Sequence, residues 1–214
     1  GTISTAGLIT DAGPRYLNAV FSEGPGAYIV NEATGVIAAR AQGGVGDTPA
    51  GIRFADNATG SEVINHGSIS AAYGFGVDFS DVTIGDDVRL TNTGTIETSY
   101  TTSGVDAIVG DVVNDGGTIH ASVDDLSITG NLTSSGVVAT QAGMTLFIDG
   151  AGNQFTNQDG GSITGYGTIN LTGGGQALSN AGTIYAGAVD GVGNLNVTGD
   201  VTFATGGTYV ADID

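Results

Sequence analysis

The sequence predicts an all-β fold, a single parallel β-helix (β-solenoid) of roughly nine or ten coils that takes in residues 1–214. Three observations carry this reading. A short phrase recurs along the chain: an Asn, a brief spacer, a Gly, then Thr, Ser or Val, then Ile. Between the phrases lie segments that alternate apolar with polar residues, as strands do when one face is buried. The composition fits both, with 39 glycines, abundant Thr, Val, Ile and Asn, and 40% hydrophobic residues at even spacing. Such a chain favours short strands joined by tight turns over helices or disorder.

In chain order the phrases are Asn31 with Gly35-Val36-Ile37, Asn65 with Gly67-Ser68-Ile69, Asn92 with Gly94-Thr95-Ile96, and Asn114 with Gly117-Thr118-Ile119. Asn157 with Gly161-Ser162-Ile163 and Asn180 with Gly182-Thr183-Ile184 follow, and a weaker copy, Ser135-Gly136-Val137-Val138, fills the gap before them. Most intervals are roughly 20 to 25 residues, the period of a solenoid with one coil per repeat, and two early ones are longer. Stacked about 4.8 Å apart, the coils make a rod roughly 45 Å long, each coil covering the apolar face of its neighbour.

The alternation fixes inside and outside. Val88-Arg89-Leu90-Thr91, Thr168-Ile169-Asn170-Leu171-Thr172 and Leu195-Asn196-Val197-Thr198 each offer one apolar face. The Ile of each phrase points inward, so Ile69, Ile96 and Ile119 should form one stack while the preceding Thr or Ser faces solvent. Met144-Thr145-Leu146-Phe147-Ile148 is apolar enough to bury both faces. The Asn of each phrase has two structural readings: it holds a left-handed turn position, or it stacks on the Asn of the next coil as an internal amide ladder. The closely following Gly favours the turn.

Charge and composition exclude whole classes of partner. Asp and Glu number 22 against four Lys and Arg, a formal charge of −18, and no lysine is present. Nucleic acid and anionic membranes are repelled by such a surface. No stretch is long and apolar enough for a membrane-spanning helix, so no direct membrane insertion of this segment is expected. Cysteine is absent, which removes disulfides and thiolate metal sites. The opening Gly1-Thr2-Ile3 reads as the end of a phrase, and the closing Tyr209-Val210-Ala211-Asp212-Ile213-Asp214 as strand-like alternation. Uncapped ends of this kind lead us to expect a fragment of a longer solenoid, or copies that pair end to end more strongly with added salt or at lower pH.

The repeated phrases, together with Gly51-Ile52-Arg53-Phe54, Gly76-Val77-Asp78-Phe79 and the run from Gly193-Asn194-Leu195-Asn196-Val197-Thr198 to Gly206-Gly207-Thr208-Tyr209-Val210, resemble autotransporter passenger domains of type V secretion. The resemblance covers most of the chain and strengthens after Val63. It implies a right-handed parallel β-helix displayed extracellularly on a Gram-negative surface. It also implies that residues 193–214 approach a C-terminal autochaperone-like region, and that scarce cysteine is ordinary.

No catalytic, cofactor or metal residues are assigned from the sequence. Enzymatic passengers carry a nucleophile motif such as Gly-x-Ser-x-Gly, and none stands here. His66 lies inside a phrase and His120 follows one, at positions held elsewhere by Ser70, Glu97 or Thr164, which reads as a variable outward site. Polysaccharide cleavage by a lyase or hydrolase is the rival enzyme class, with Asp78/Asp81, Asp86/Asp87 and Asp124/Asp125 as candidate acid pairs. Neighbouring strand residues face opposite ways, though, and Arg15, Arg40, Arg53 and Arg89 are the only cations for a uronate.

Gly43-Gly44-Val45-Gly46-Asp47 and Asp149-Gly150-Ala151-Gly152-Asn153 approach calcium motifs but depart from them in spacing or in a missing Glu. The expected function is therefore non-catalytic: a rigid stalk or adhesin that meets host or neighbouring-cell surface proteins or glycans. A self-assembling filament subunit is the alternative to it. Loops at 39–55 and 99–111, with Tyr73, Phe75 and Tyr100 as aromatic platforms, are the expected contact places.

Overall fold

Strands of three to five residues, each with one buried face, leave a chain that must find a partner for both backbone edges, and stacking coil upon coil supplies it. The computed structural model describes residues 2–10, 18–39, 50–54, 58–71, 75–79, 88–98, 106–171, 174–187 and 193–211. All regular structure among them is β, with no helix.

A first sheet holds β1 (Thr2–Thr5), β4 (Tyr28–Asn31), β7 (Glu62–Asn65), β10 (Arg89–Asn92), β13 (Asp111–Asn114), β16 (Leu132–Ser134), β19 (Gln154–Asn157), β22 (Ala177–Asn180) and β25 (Asp200–Phe203). A second holds β2 (Leu8–Thr10), β5 (Val36–Ala39), β8 (Ser68–Ala71), β11 (Thr95–Thr98), β14 (Thr118–Ala121), β17 (Val137–Thr140), β20 (Ser162–Gly165), β23 (Thr183–Ala186) and β26 (Thr208–Ala211). The third is one strand shorter: β3 (Asn18–Ser22), β6 (Ala50–Phe54), β9 (Phe75–Asp78), β12 (Asp106–Val109), β15 (Leu126–Thr129), β18 (Thr145–Asp149), β21 (Thr168–Asn170) and β24 (Asn196–Thr198). Every third strand is a neighbour and the pairings are parallel, which defines a three-sided parallel solenoid.

The nine or ten coils expected from the phrase period differ slightly from the structure, in which two sheets hold nine strands and the third eight, and about seven turns lie stacked with a neighbour on each side. The early repeats are the reason: 34 residues separate Asn31 from Asn65 and 27 separate Asn65 from Asn92, against 22 and then 20 further on. Residues inserted between strands lengthen a coil without adding a rung.

Register places like on like. Ile37, Ile69, Ile96, Ile119, Val138, Ile163 and Ile184 pair in sequence across the second sheet, and all are buried. The predicted inward stack of Ile69, Ile96 and Ile119 is thus present, with the preceding Ser or Thr half-buried on the outer face. A matching column of Ile29, Val63, Leu90, Val112, Leu132, Phe155 and Leu178 lines the first sheet. Each such side chain withdraws roughly 1.5–3 kcal/mol of apolar surface from water. The expectation for β18 needs amendment: Leu146 and Ile148 are buried, but Phe147 projects outward and is half-exposed.

Candidate functional site

The corner between the first and second sheets is where the repeated phrase does its work. Each Asn ends a strand of the first sheet with its side chain fully buried: Asn31, Asn65, Asn92, Asn114, Asn157 and Asn180. The amides form a ladder. Asn31 Nδ2 donates to Asn65 Oδ1 at 2.7 Å, Asn65 to Asn92 at 2.7 Å, Asn92 to Asn114 at 2.7 Å, and Asn157 to Asn180 at 2.6 Å. The turn reading favoured by sequence is therefore corrected, because these residues lie in extended strands and their side chains point along the rod axis.

The ladder has a direction. From Asn31 to Asn114 each amide nitrogen donates toward the C-terminal coil, and the same nitrogen also serves two backbone carbonyls. For Asn31 these are Gly35 O at 3.2 Å in its own corner and Ser68 O at 3.1 Å in the next coil. For Asn65 they are Gly67 O and Thr95 O, and for Asn114, Gly117 O and Val137 O. A buried amide satisfied in this way avoids the desolvation cost that a lone polar group would carry.

The Gly of the phrase is also explained differently from a left-handed turn. Gly94 has no positive φ; a Cβ built on it would overlap the Gly67 carbonyl oxygen of the coil below. That carbonyl accepts the Thr95 N–H at 2.8 Å, so the backbones approach too closely for any side chain.

The outer surface carries polar ladders of its own. Arg89 Nε meets Glu62 Oε1 at 3.0 Å and lies in register with Asp111 on its other side. Asp111 Oδ1 in turn accepts the Asn131 N–H at 2.8 Å, and Asn131 Oδ1 accepts the Gln154 N–H at 3.0 Å. Exposed pairs of this type are each worth about 0.2–1 kcal/mol.

The residues weighed for chemistry are dispersed. His66 is exposed, with Nδ1 2.7 Å from Thr93 Oγ1. His120 lies in register between Glu97 and Ala139, and Glu97 in register with Ser70. That column puts the carboxylate between serine and imidazole, whereas a Ser-His-acid relay needs the imidazole in the middle.

Asp124 and Asp125 sit in a corner and not in a strand, and both carboxylates cap backbone: Asp124 Oδ1 accepts the Asp125 N–H at 2.9 Å, and Asp125 Oδ1 the Thr145 N–H at 2.6 Å. Asp78 is buried with Oδ2 3.8 Å from Arg53 Nε, and its sequence neighbour Asp81 lies outside the described residues, as do Asp86 and Asp87. In the 149–153 turn, Asp149 Oδ2 accepts Ser127 Oγ at 2.5 Å, and Asn153 Nδ2 folds back onto Asp149 O, so these oxygens close a turn. No cluster of three or more His, Cys, Asp or Glu suited to a metal occurs among the described residues.

Gly43 to Asp47, Arg15, Arg40, Tyr73, Tyr100 and most of the loops at 39–55 and 99–111 lie outside the described residues. Phe75 begins β9. Among the described residues no helix is long and apolar enough to cross a membrane.

Compared with protein-family models, curated proteins and solved structures, the chain matches none of them.

Proposed function

We propose that this chain is a non-catalytic rod segment of a right-handed passenger-type β-helix, displayed on a Gram-negative cell surface as a stiff stalk or adhesin. The observation that carries the proposal is the unbroken in-register stack from β1 to β25, with an apolar column on the inside and a buried amide ladder at one corner. Two nine-stranded sheets at the usual spacing give a rod about 40 Å long, whose coils resist bending because each is bonded to both neighbours. Its acidic, hydroxyl-rich exterior keeps such a rod soluble and separate from other surfaces, leaving contact with a host or neighbouring-cell protein or glycan to local features.

Two measurements on the full chain and its source cells test the reading. Protease shaving of intact cells should release peptides of this chain, and the purified chain should leave a panel of polysaccharides uncut. Peptides found only after lysis would remove the surface assignment. Release of reducing sugar or unsaturated uronate, lost on substitution of an Asp, would replace the stalk with an enzyme.

A further inference from the structure

The amide ladder has one interruption, and its geometry points to a ligand. Ser134 occupies the ladder position between Asn114 and Asn157, in register with both. Its Oγ accepts from Asn114 Nδ2 at 3.0 Å, as an Asn Oδ1 would. A serine carries no counterpart to the amide nitrogen, however, and Asn157 Oδ1 is buried without a hydrogen-bond partner.

The place that nitrogen would fill can be read from the other rungs. A Cβ on Gly67, Gly117, Gly136 or Gly182 would crowd the amide nitrogen of the preceding coil, namely Asn31, Asn92, Asn114 or Asn157, at 2.6–2.9 Å. On Gly161 the same Cβ meets instead the Asn157 Oδ1 and the Ser134 carbonyl oxygen. From Asn31 to Asn114 the nitrogen donates to three acceptors: the side-chain oxygen of the next ladder residue, its own corner Gly carbonyl, and the Ser, Thr or Val carbonyl of the following coil. The equivalents around Ser134 are Asn157 Oδ1, Gly136 O and Ser162 O.

We infer that a single water molecule is bound at this position, so that the Ser134 hydroxyl and the water together replace one asparagine amide. The Ser134 O–H donates to the water. The water donates to Asn157 Oδ1 and to Gly136 O or Ser162 O, while Ser134 Oγ continues to accept from Asn114. A buried water requires two to four polar partners, and this position offers Ser134 Oγ, Asn157 Oδ1, Gly136 O and Ser162 O. The same pairing of a short hydroxyl residue with an unpartnered Asn Oδ1 recurs at Thr5 and Asn31, so the orphaned oxygen tracks the missing amide.

A crystal structure of the full chain at a resolution that orders water, together with ¹⁷O relaxation dispersion of the chain and of S134N, tests the inference. The expected results are a density peak about 2.6–3.2 Å from both Ser134 Oγ and Asn157 Oδ1, and one fewer long-lived internal water in S134N. A melting temperature about 2–4 °C higher for S134N also supports it. Three results overturn it: a direct Ser134 to Asn157 hydrogen bond, an empty position in well-ordered density, or a long-lived water count that S134N leaves unchanged. The wild-type density decides the matter even if S134N does not fold.

Discussion

Replacing Asn92 with Ala probes the ladder at its middle. Asn92 accepts from Asn65 Nδ2 at 2.7 Å and donates to Asn114 Oδ1 at 2.7 Å, to Gly94 O and to Thr118 O at 3.3 Å. In the alanine variant Asn114 Oδ1 loses its donor, while Asn65 Nδ2 keeps Gly67 O and Thr95 O. One buried acceptor left unsatisfied costs about 1–3 kcal/mol, and the lost bond from Asn65 about 1 kcal/mol more. The total of about 2–4 kcal/mol corresponds to a fall of roughly 4–16 °C in melting temperature for a chain of this size. Circular dichroism melts beside hydrogen exchange at the Asn114 and Thr118 amides measure it, with Thr133→Ala, half-exposed on the outer face of the first sheet, as control. If N92A proves no more costly than T133A, the ladder contributes nothing and the reasoning fails.

The remaining predictions use the same coil-to-coil geometry. Ile96→Asp places a carboxylate between Ile69 and Ile119 in a site 1% exposed, and should unfold the chain or lower its melting temperature beyond any other single change here; a native-like melt would refute the inward stack. Gly94→Ala should destabilise through overlap with Gly67 O although its φ is ordinary, and a neutral result would mean that the corner yields freely. The 214-residue chain exposes Val201, Phe203, Tyr209 and Val210 on β25 and β26, so light scattering should report association that rises with salt as the −18 charge is screened; salt-independent scattering would count against it.

Periodicity made the fold legible because solenoid columns repeat the same residue at the same station. Ile69, Ile96 and Ile119 could be placed from sequence alone, since alternation in a strand leaves only two faces and the apolar one must be covered. The Asn was misassigned for a physical reason. A turn and a ladder require the same residue at the same spacing, and only the direction of the side chain relative to the rod axis separates them. A signal was present nonetheless: an Asn serving only a local turn would tolerate Asp, Gly or Ser at most stations, whereas six phrases keep Asn and the weak copy has Ser134. Coil number was misjudged because phrase spacing does not distinguish residues inside strands from residues inserted between them. Nor could the sequence reveal that the Asp124 and Asp125 carboxylates each accept a backbone N–H.

Parallel sheets are ordinarily covered on both faces by helices, which explains why their strands are usually apolar throughout. Here only the inner faces are covered, and the outer stations of the first sheet hold Thr91, Thr133, Thr156 and Ser179 beside the half-buried Val30, Ile64 and Val113, with Glu62, Arg89, Asp111 and Gln154 a pleat away. β-branched Thr keeps strand propensity at a wet position, and the charges make lateral sheet-to-sheet stacking of copies unfavourable. Stability is therefore confined to the axial direction, in the apolar columns, the backbone ladders and the buried amides. A structure strong along one axis and self-repelling across it is suited to projecting outward as a separate rod, the mechanical property that the proposed stalk requires.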